Sequence, residues 1–191
     1  PDWALQSVHF PHMLTPVDFV IPALRDFSHT AHVIGIIENQ APTRHLLMTV
    51  IPEKGEILAD MKRDVMKLAL IERHHNTGKV QMGLVQGFGF NCPCAVASTV
   101  AHDAHNMIVV GTDGENMAIA ANHLSAMNGG QIVVKDGKVI GKVSLPIAGL
   151  MSDQPAVKVA EEAGTVLEGL RQCGCNLQNA NMQLSLLGLV V

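Results

Sequence analysis

Lys67-Leu-Ala-Leu-Ile-Glu-Arg73, then His74-His75-Asn76-Thr77-Gly78, then Val80-Gln-Met-Gly-Leu-Val-Gln86 is the stretch that sets the fold class. Two apolar runs flank a short Asn/Thr/Gly segment, which is a β-hairpin signal. Neither run alternates cleanly, so both strands are expected to be buried on two faces rather than to keep one wet face. Gly83, Gly87 and Gly89 thin the second strand and its exit, where another backbone or a ligand can approach closely. Gly87-Phe-Gly89 lacks the full spacing of a dinucleotide fingerprint and the helix that should follow it.

Toward the N-terminus, Val17 to Ile21 and His32 to Ile37 are predicted as short strands, Arg44 to Val50 continues the β pattern, and Glu53-Lys-Gly55 is a turn. Residues 1–16 show no period and are expected to be a linker or arm, with 17–191 forming one domain. Toward the C-terminus, Met107 to Val110 is predicted as a buried strand. Thr112 or Asp113 then caps a helix with Met117, Ala120, Ala121, Leu124 and Met127 turned inward, and Gly129-Gly130 closes it. Gln131 to Val134 and Val139 to Val143 form a second hairpin. Leu145 to Ser152 contains Pro146 and Gly149 and is expected to be a buried loop. Ser152 or Asp153 caps a second helix, with Pro155 near its first turn and Val157, Ala160, Val166, Leu167 and Leu170 on its inner face. Hairpins and separate helices without a repeating βαβ pattern give an α+β class: mixed or antiparallel hairpins with two main helices packed on the sheet.

Chemistry concentrates in one place. Ser98-Thr-Val-Ala-His102-Asp103-Ala-His105-Asn106 puts two imidazoles, a carboxylate and a carboxamide within five residues of a buried strand. Such groups cost several kcal/mol if buried unpaired, roughly the range for unsatisfied polar groups. They therefore either close a network among themselves or face a cavity, and the residues alone leave both open. His102, Asp103 and His105 are the candidate proton-handling residues, because a carboxylate can fix the tautomer of an imidazole that titrates near neutrality. Asn106, with His74 and His75 on the hairpin turn, are candidates for holding a polar substrate; an exposed turn pair is equally the ordinary fate of such histidines. No HExxH or HxH pattern occurs, so a self-contained hydrolytic metal site is not expected from these residues.

Composition bounds the rest. At 191 residues, 48% hydrophobic and 16% charged, the chain suits a well-buried globular body. A net charge of −4, one Trp, five Phe and no Tyr offer neither a basic surface nor a stacking platform for nucleic acid. The longest apolar tract, Leu184 to Val191, is too short to span a bilayer. The four cysteines form two close pairs, Cys92-Pro-Cys94 and Cys173-Gly-Cys175, without the two-residue gap of zinc knuckles or redox pairs. Free thiols in a reducing cytoplasm are the simplest account, with a site built from all four as the alternative. The chain starts at Pro1 and stops inside a β-prone apolar run, which reads as a piece of something longer.

Taken together, Val33-Ile-Gly-Ile-Ile37 with Thr43-Arg-His45, Leu70 to Gly78, Gly87-Phe-Gly89, Ala97 to Asn106, Ile108-Val-Val-Gly111 and Leu145-Pro-Ile-Ala-Gly-Leu-Met-Ser152 resemble the C-terminal domain of adenine deaminases, members of the metal-dependent amidohydrolases. The resemblance runs from about Asp18 to the last residue. Ala104 stands where that family usually has Ser, and Asn76 where Gly is common. The resemblance implies a hydrolase that converts adenine to hypoxanthine and ammonia in purine salvage and adenine catabolism. It implies manganese or iron bound in an N-terminal barrel domain that this chain lacks, and a cytoplasmic location. Adenine and that barrel are the expected partners, homo-oligomer formation is left open, and no nucleic acid or membrane is expected. In this reading the His102–Asn106 cluster lines the cleft facing the barrel, and the isolated piece is inactive. The alternative is a purely structural or oligomerisation domain.

Overall fold

The computed structural model describes residues 2–23 and 27–189. Eight strands make one open sheet: β1 (His29–Gly35), β2 (Arg44–Val50), β3 (Val65–Ile71), β4 (Val80–Gln86), β5 (Cys94–Ser98), β6 (Met107–Gly111), β7 (Gly130–Lys135) and β8 (Lys138–Ser144). Among the described residues three α-helices accompany them: α1 (Gly114–Ala126), α2 (Ala156–Gln172) and α3 (Ala180–Leu186). The spatial order is β2-β1-β4-β3-β6-β5-β7-β8. All neighbours are antiparallel except β1 and β4, so the sheet is mixed and the α+β class holds. It does not close into a barrel.

The predicted hairpin is β3–β4, paired from Val65↔Gln86 to Ile71↔Val80. Central β3 is buried on both faces as expected, whereas β4 is buried only at Leu84 and Val85. Because successive side chains point to opposite faces, the sheet separates two cores. Met66, Leu68, Val96, Val110 and Val133 pack with Val166 and Leu170 of α2 and Leu184 of α3. Ala69, Ile71, Ala95, Ala97 and Val109 pack on the other face with Met117, Ala120, Ala121 and Leu124 of α1. Val8, Leu14 and Phe19, from the segment before the sheet, join this second core.

Helix α1 matches its prediction closely. Asp113 caps it, its carboxylate accepting from the Asn116 amide at 2.8 Å. In α2 the expected inner face holds at Val166 and Leu170 but not at Val157, Ala160 and Leu167. Val157 is 73% exposed and Leu167 37% exposed, while Gly169 is buried beside Val166 and Leu170. A Cβ at Gly169 would lie 3.2 Å from the Val133 Cβ. The helix presents its slimmest side so that it can sit close on β7, and a pattern of apolar residues does not register a glycine contact. Pro155, not Ser152 or Asp153, occupies its N-cap position.

Two further expectations are corrected. Val17 to Ile21 is not a strand; Pro16–Phe19 is a turn of 3-10 helix. The Asp18 carboxylate accepts from the Thr15 amide at 2.7 Å and the Thr15 hydroxyl at 2.9 Å, and this local grip outweighs the β pattern. The apolar run beginning at Leu184 is not β structure either. Its described part falls in α3 and the turn after it, which suits a segment in which Ala, Met, Gln and Leu, all strong helix formers, outnumber Asn181 and Ser185; Val190 and Val191 lie outside the described residues. Leu145 to Ser152 is a loop, as expected, pinched by an Ile147↔Met151 bridge. No described helix is long and apolar enough to cross a membrane.

Candidate functional site

Arg73 organises the site. It follows β3 on the face of Lys67, Ala69 and Ile71, and it is 1% exposed. A guanidinium is charged at any ordinary pH, so its burial demands acceptors. Three segments supply them. Its Nε donates to the His105 carbonyl at 2.6 Å. One terminal nitrogen donates to the Ser7 carbonyl at 2.6 Å and hydroxyl at 3.0 Å, and the other to the Ala148 carbonyl at 3.0 Å. Gly149 makes room: a Cβ there would lie 3.0 Å from the guanidinium, and its φ of +71° also favours glycine. The loop from Thr99 to Asn106, the segment before the sheet and the Pro146–Gly149 loop are thus tied to one cation.

A cleft of about 360 Å³ opens beside it, lined by Ser7, His9, Arg73, His74, His105 and Leu150 among others. His105 sits at a left-handed φ of +49°, its amide donating to the Ala101 carbonyl at 2.7 Å. Its Nδ1 is shut off from solvent and has no hydrogen-bond partner. Burial holds the His105 imidazolium below its ordinary range, and the nearby His102 and Arg73 charges act in the same direction. Its ring is therefore the neutral form at pH 7, with one donor and one acceptor nitrogen. His74 reaches the same cleft, its Nε2 lying 2.8 Å from the Ala104 carbonyl.

The other sequence candidates are not gathered here. His102 turns toward α3: its Nδ1 is 2.7 Å from the Ser185 hydroxyl, and its amide donates to the Ser185 carbonyl at 3.1 Å. The His102 and His105 rings are still only 6.1 Å apart, centre to centre. Asp103 is exposed. Asn106 lies in a separate hollow with Leu70, Glu72, Lys79 and Gln81, and its Oδ1 has no partner. His75 is a turn residue with its side chain 81% exposed. Glu72 shapes that turn, accepting from the amides of His74, His75 and Thr77 and from the Thr77 hydroxyl. Partial burial alone would raise the Glu72 carboxyl; the donors from His75, Thr77 and His74 outweigh it and hold it at about 2. The expectation of one shared cleft thus divides, because the neighbours His105 and Asn106 serve two hollows.

Arg73, Ser7 and His9 were not singled out by sequence. A charged residue in phase with the buried side of β3 is the one local signal for Arg73; nothing local marks its partners. As for metals, the cleft does not fit a manganese or iron centre, because the Arg73 guanidinium at its floor repels a cation and no carboxylate lines it. Among the described residues, the donor side chains close enough to share one ion are Cys92, Cys94 and Cys173. The two cysteine pairs do meet, but Cys175 is not part of the group.

Comparison with known proteins adds the family. A model of the adenine deaminase C-terminal domain matches residues 40–191. The whole chain is 50% identical to an adenine deaminase of Paracoccus denitrificans and 50% identical to one of Roseobacter denitrificans, covering 32% of each. An adenine deaminase of Moorella thermoacetica is 43% identical over the same share. The chain spans about a third of the length of these relatives.

Proposed function

The chain belongs to the adenine deaminase C-terminal domain family, and on that premise we propose that it forms one wall of the substrate cleft of an adenine aminohydrolase. The intact enzyme adds water at the amino-bearing carbon of adenine, the carbon–nitrogen bond breaks, and hypoxanthine and ammonia leave. In this reading the N-terminal barrel of the parent protein supplies the manganese or iron ion, and the barrel and adenine are the partners of this domain. The isolated domain is inactive because the barrel's ligands are not among its residues. The parent is a cytoplasmic enzyme of purine salvage and adenine catabolism.

The observation that carries the proposal is the His105 ring. It lines an open cleft, its Nδ1 is buried without a partner, and its backbone is fixed by Arg73. A neutral imidazole on a cleft wall, with one donor and one acceptor nitrogen, suits a ligand with both ring acceptors and an amino donor, which is what adenine presents. His105, as a residue of the cleft wall, orients the purine or handles a proton there, and His74 binds beside it. His102 has the lesser role of anchoring the loop to α3, and Asp103, Asn106 and His75 have no contact with this cleft.

A second reading, a domain that only braces the barrel, is favoured by the His102–Ser185 bond and the three-way grip of Arg73. The two separate on one variant of the full-length protein. His105→Ala lowers turnover per folded molecule by about 100-fold, the range for a lost proton-handling group, with little change in Tm. Unchanged turnover with a lower Tm would establish the brace instead.

A further inference from the structure

Far from the cleft, on the α2 side of the sheet, the two cysteine pairs converge. We propose that Cys92, Cys94 and Cys173 form a binding site for a soft, thiophilic d10 cation, zinc(II) or copper(I). The three sulfurs lie within 4.8 Å of one another, with Cys94 and Cys173 fully buried and Cys92 half-buried. Three sulfurs at about 2.3 Å from a shared ion sit roughly 3.8–4.0 Å apart, so the group has only to draw in by less than about 1 Å. A donor set of thiols with no imidazole or carboxylate selects for soft cations over manganese, magnesium or calcium.

The backbone builds this convergence. Asn91 donates its amide to the Cys173 carbonyl at 3.0 Å, which clasps the end of α2 to the loop entering β5. Gly174 has φ +97°, and a Cβ there would lie 2.7 Å from both the Asn91 side chain and the Gly89 carbonyl, so only glycine lets the two segments meet. From the third side, Asp136 donates its amide to the Pro93 carbonyl at 3.0 Å, and the Lys135 ammonium donates to the Gln172 carbonyl at 2.9 Å. That ammonium sits close enough to offset the negative charge three thiolates would leave around a monovalent or divalent ion. Half-buried Cys92 is the entry side, where zinc would keep a solvent ligand as its fourth; copper(I) is satisfied by the three sulfurs. Each thiol gives its proton to solvent as its sulfur bonds the ion.

The test uses the full-length protein, reduced and stripped of ions under anaerobic conditions. It is titrated with zinc(II), and separately with copper(I), against a competing chromophoric chelator. The wild type binds one more equivalent of at least one of these ions than Cys92→Ser or Cys173→Ser, and the ion slows alkylation of Cys92 by about tenfold or more. Tight copper(I) with weak zinc identifies a three-coordinate site, and tight zinc a four-coordinate one. Cys92→Ser changes a half-buried residue, so it decides the matter even where Cys173→Ser fails to fold. Equal stoichiometry in wild type and Cys92→Ser, or alkylation at the same rate with and without ion, overturns the proposal.

Discussion

Arg73 is ionised in the folded and unfolded chain alike, so its three carbonyl acceptors are a condition of burying it. Hydrogen bonds to a charged group contribute about 1.5–3 kcal/mol each, and any acceptor left behind in a dry site adds its own desolvation cost. Arg73→Lys supplies a point charge that cannot reach Ser7, His105 and Ala148 together. It is expected to destabilise the protein by about 3 kcal/mol or more, read as a lower urea midpoint at unchanged slope. A midpoint within error of wild type would show that the three segments are held by other contacts. Glu72 permits a pH experiment. Its folded value of about 2 lies below the ordinary 4.5, so its contribution is fully present above pH 4.5 and disappears as the pH falls toward 2. Glu72→Gln is expected to cost about 2 kcal/mol at neutral pH and to flatten the stability profile between about pH 4.5 and 2. Equal acid sensitivity of the two proteins would remove Glu72 as the cause. At this scale the sequence showed that the polar knot at His102–Asn106 needed partners. It could not show that Ser185 takes His102 while His105 lines the cleft, since that choice rests on a residue 83 positions away.

Elements were most legible where a local signal and the tertiary demand agree. The β3–β4 and β7–β8 hairpins and the cap of α1 came from turn residues and short-range spacing, and the folded chain keeps them. β5 was missed because Cys94–Ser98 is a run of small residues, weak in β propensity, that becomes a strand by lying between β6 and β7. α3 was missed because an apolar run of leucines fits helix or strand equally until Leu184 finds the core beside α2. The cap of α1 can be tested alone. The Asp113 carboxylate accepts from the Asn116 amide and also gathers the Asn116 side chain and the Thr112 hydroxyl. Asp113→Ala is expected to cost about 1–2 kcal/mol, whereas Asp113→Asn and Asp113→Ser recover most of it. A loss equal in all three variants would place the effect in charge rather than in the cap.

Across the whole molecule, the segment read as a linker is laid along the α1 face of the sheet. Ala4, Val8 and Leu14 are buried. The His9 amide donates to the Arg73 carbonyl at 2.9 Å. The Asn122 side chain clamps Leu14 from both directions, accepting its amide at 2.9 Å and donating to its carbonyl at 2.8 Å. No periodicity announces such a segment, because it folds back onto residues 66 and 108 positions further along the chain. Its attachment also decides the shape of the cleft, since Ser7 and His9 form one of its sides. Amide exchange can resolve the two anchors. In the wild type both the His9 and Leu14 amides are expected to be protected, because opening either one breaks a buried contact. Asn122→Ala should lower protection at Leu14 by about tenfold, corresponding to about 1.4 kcal/mol, and leave His9, held from the Arg73 side, unchanged. If both amides exchange at the rate of an open chain in the wild type, the segment is a tether, and the cleft loses the side that Ser7 and His9 give it.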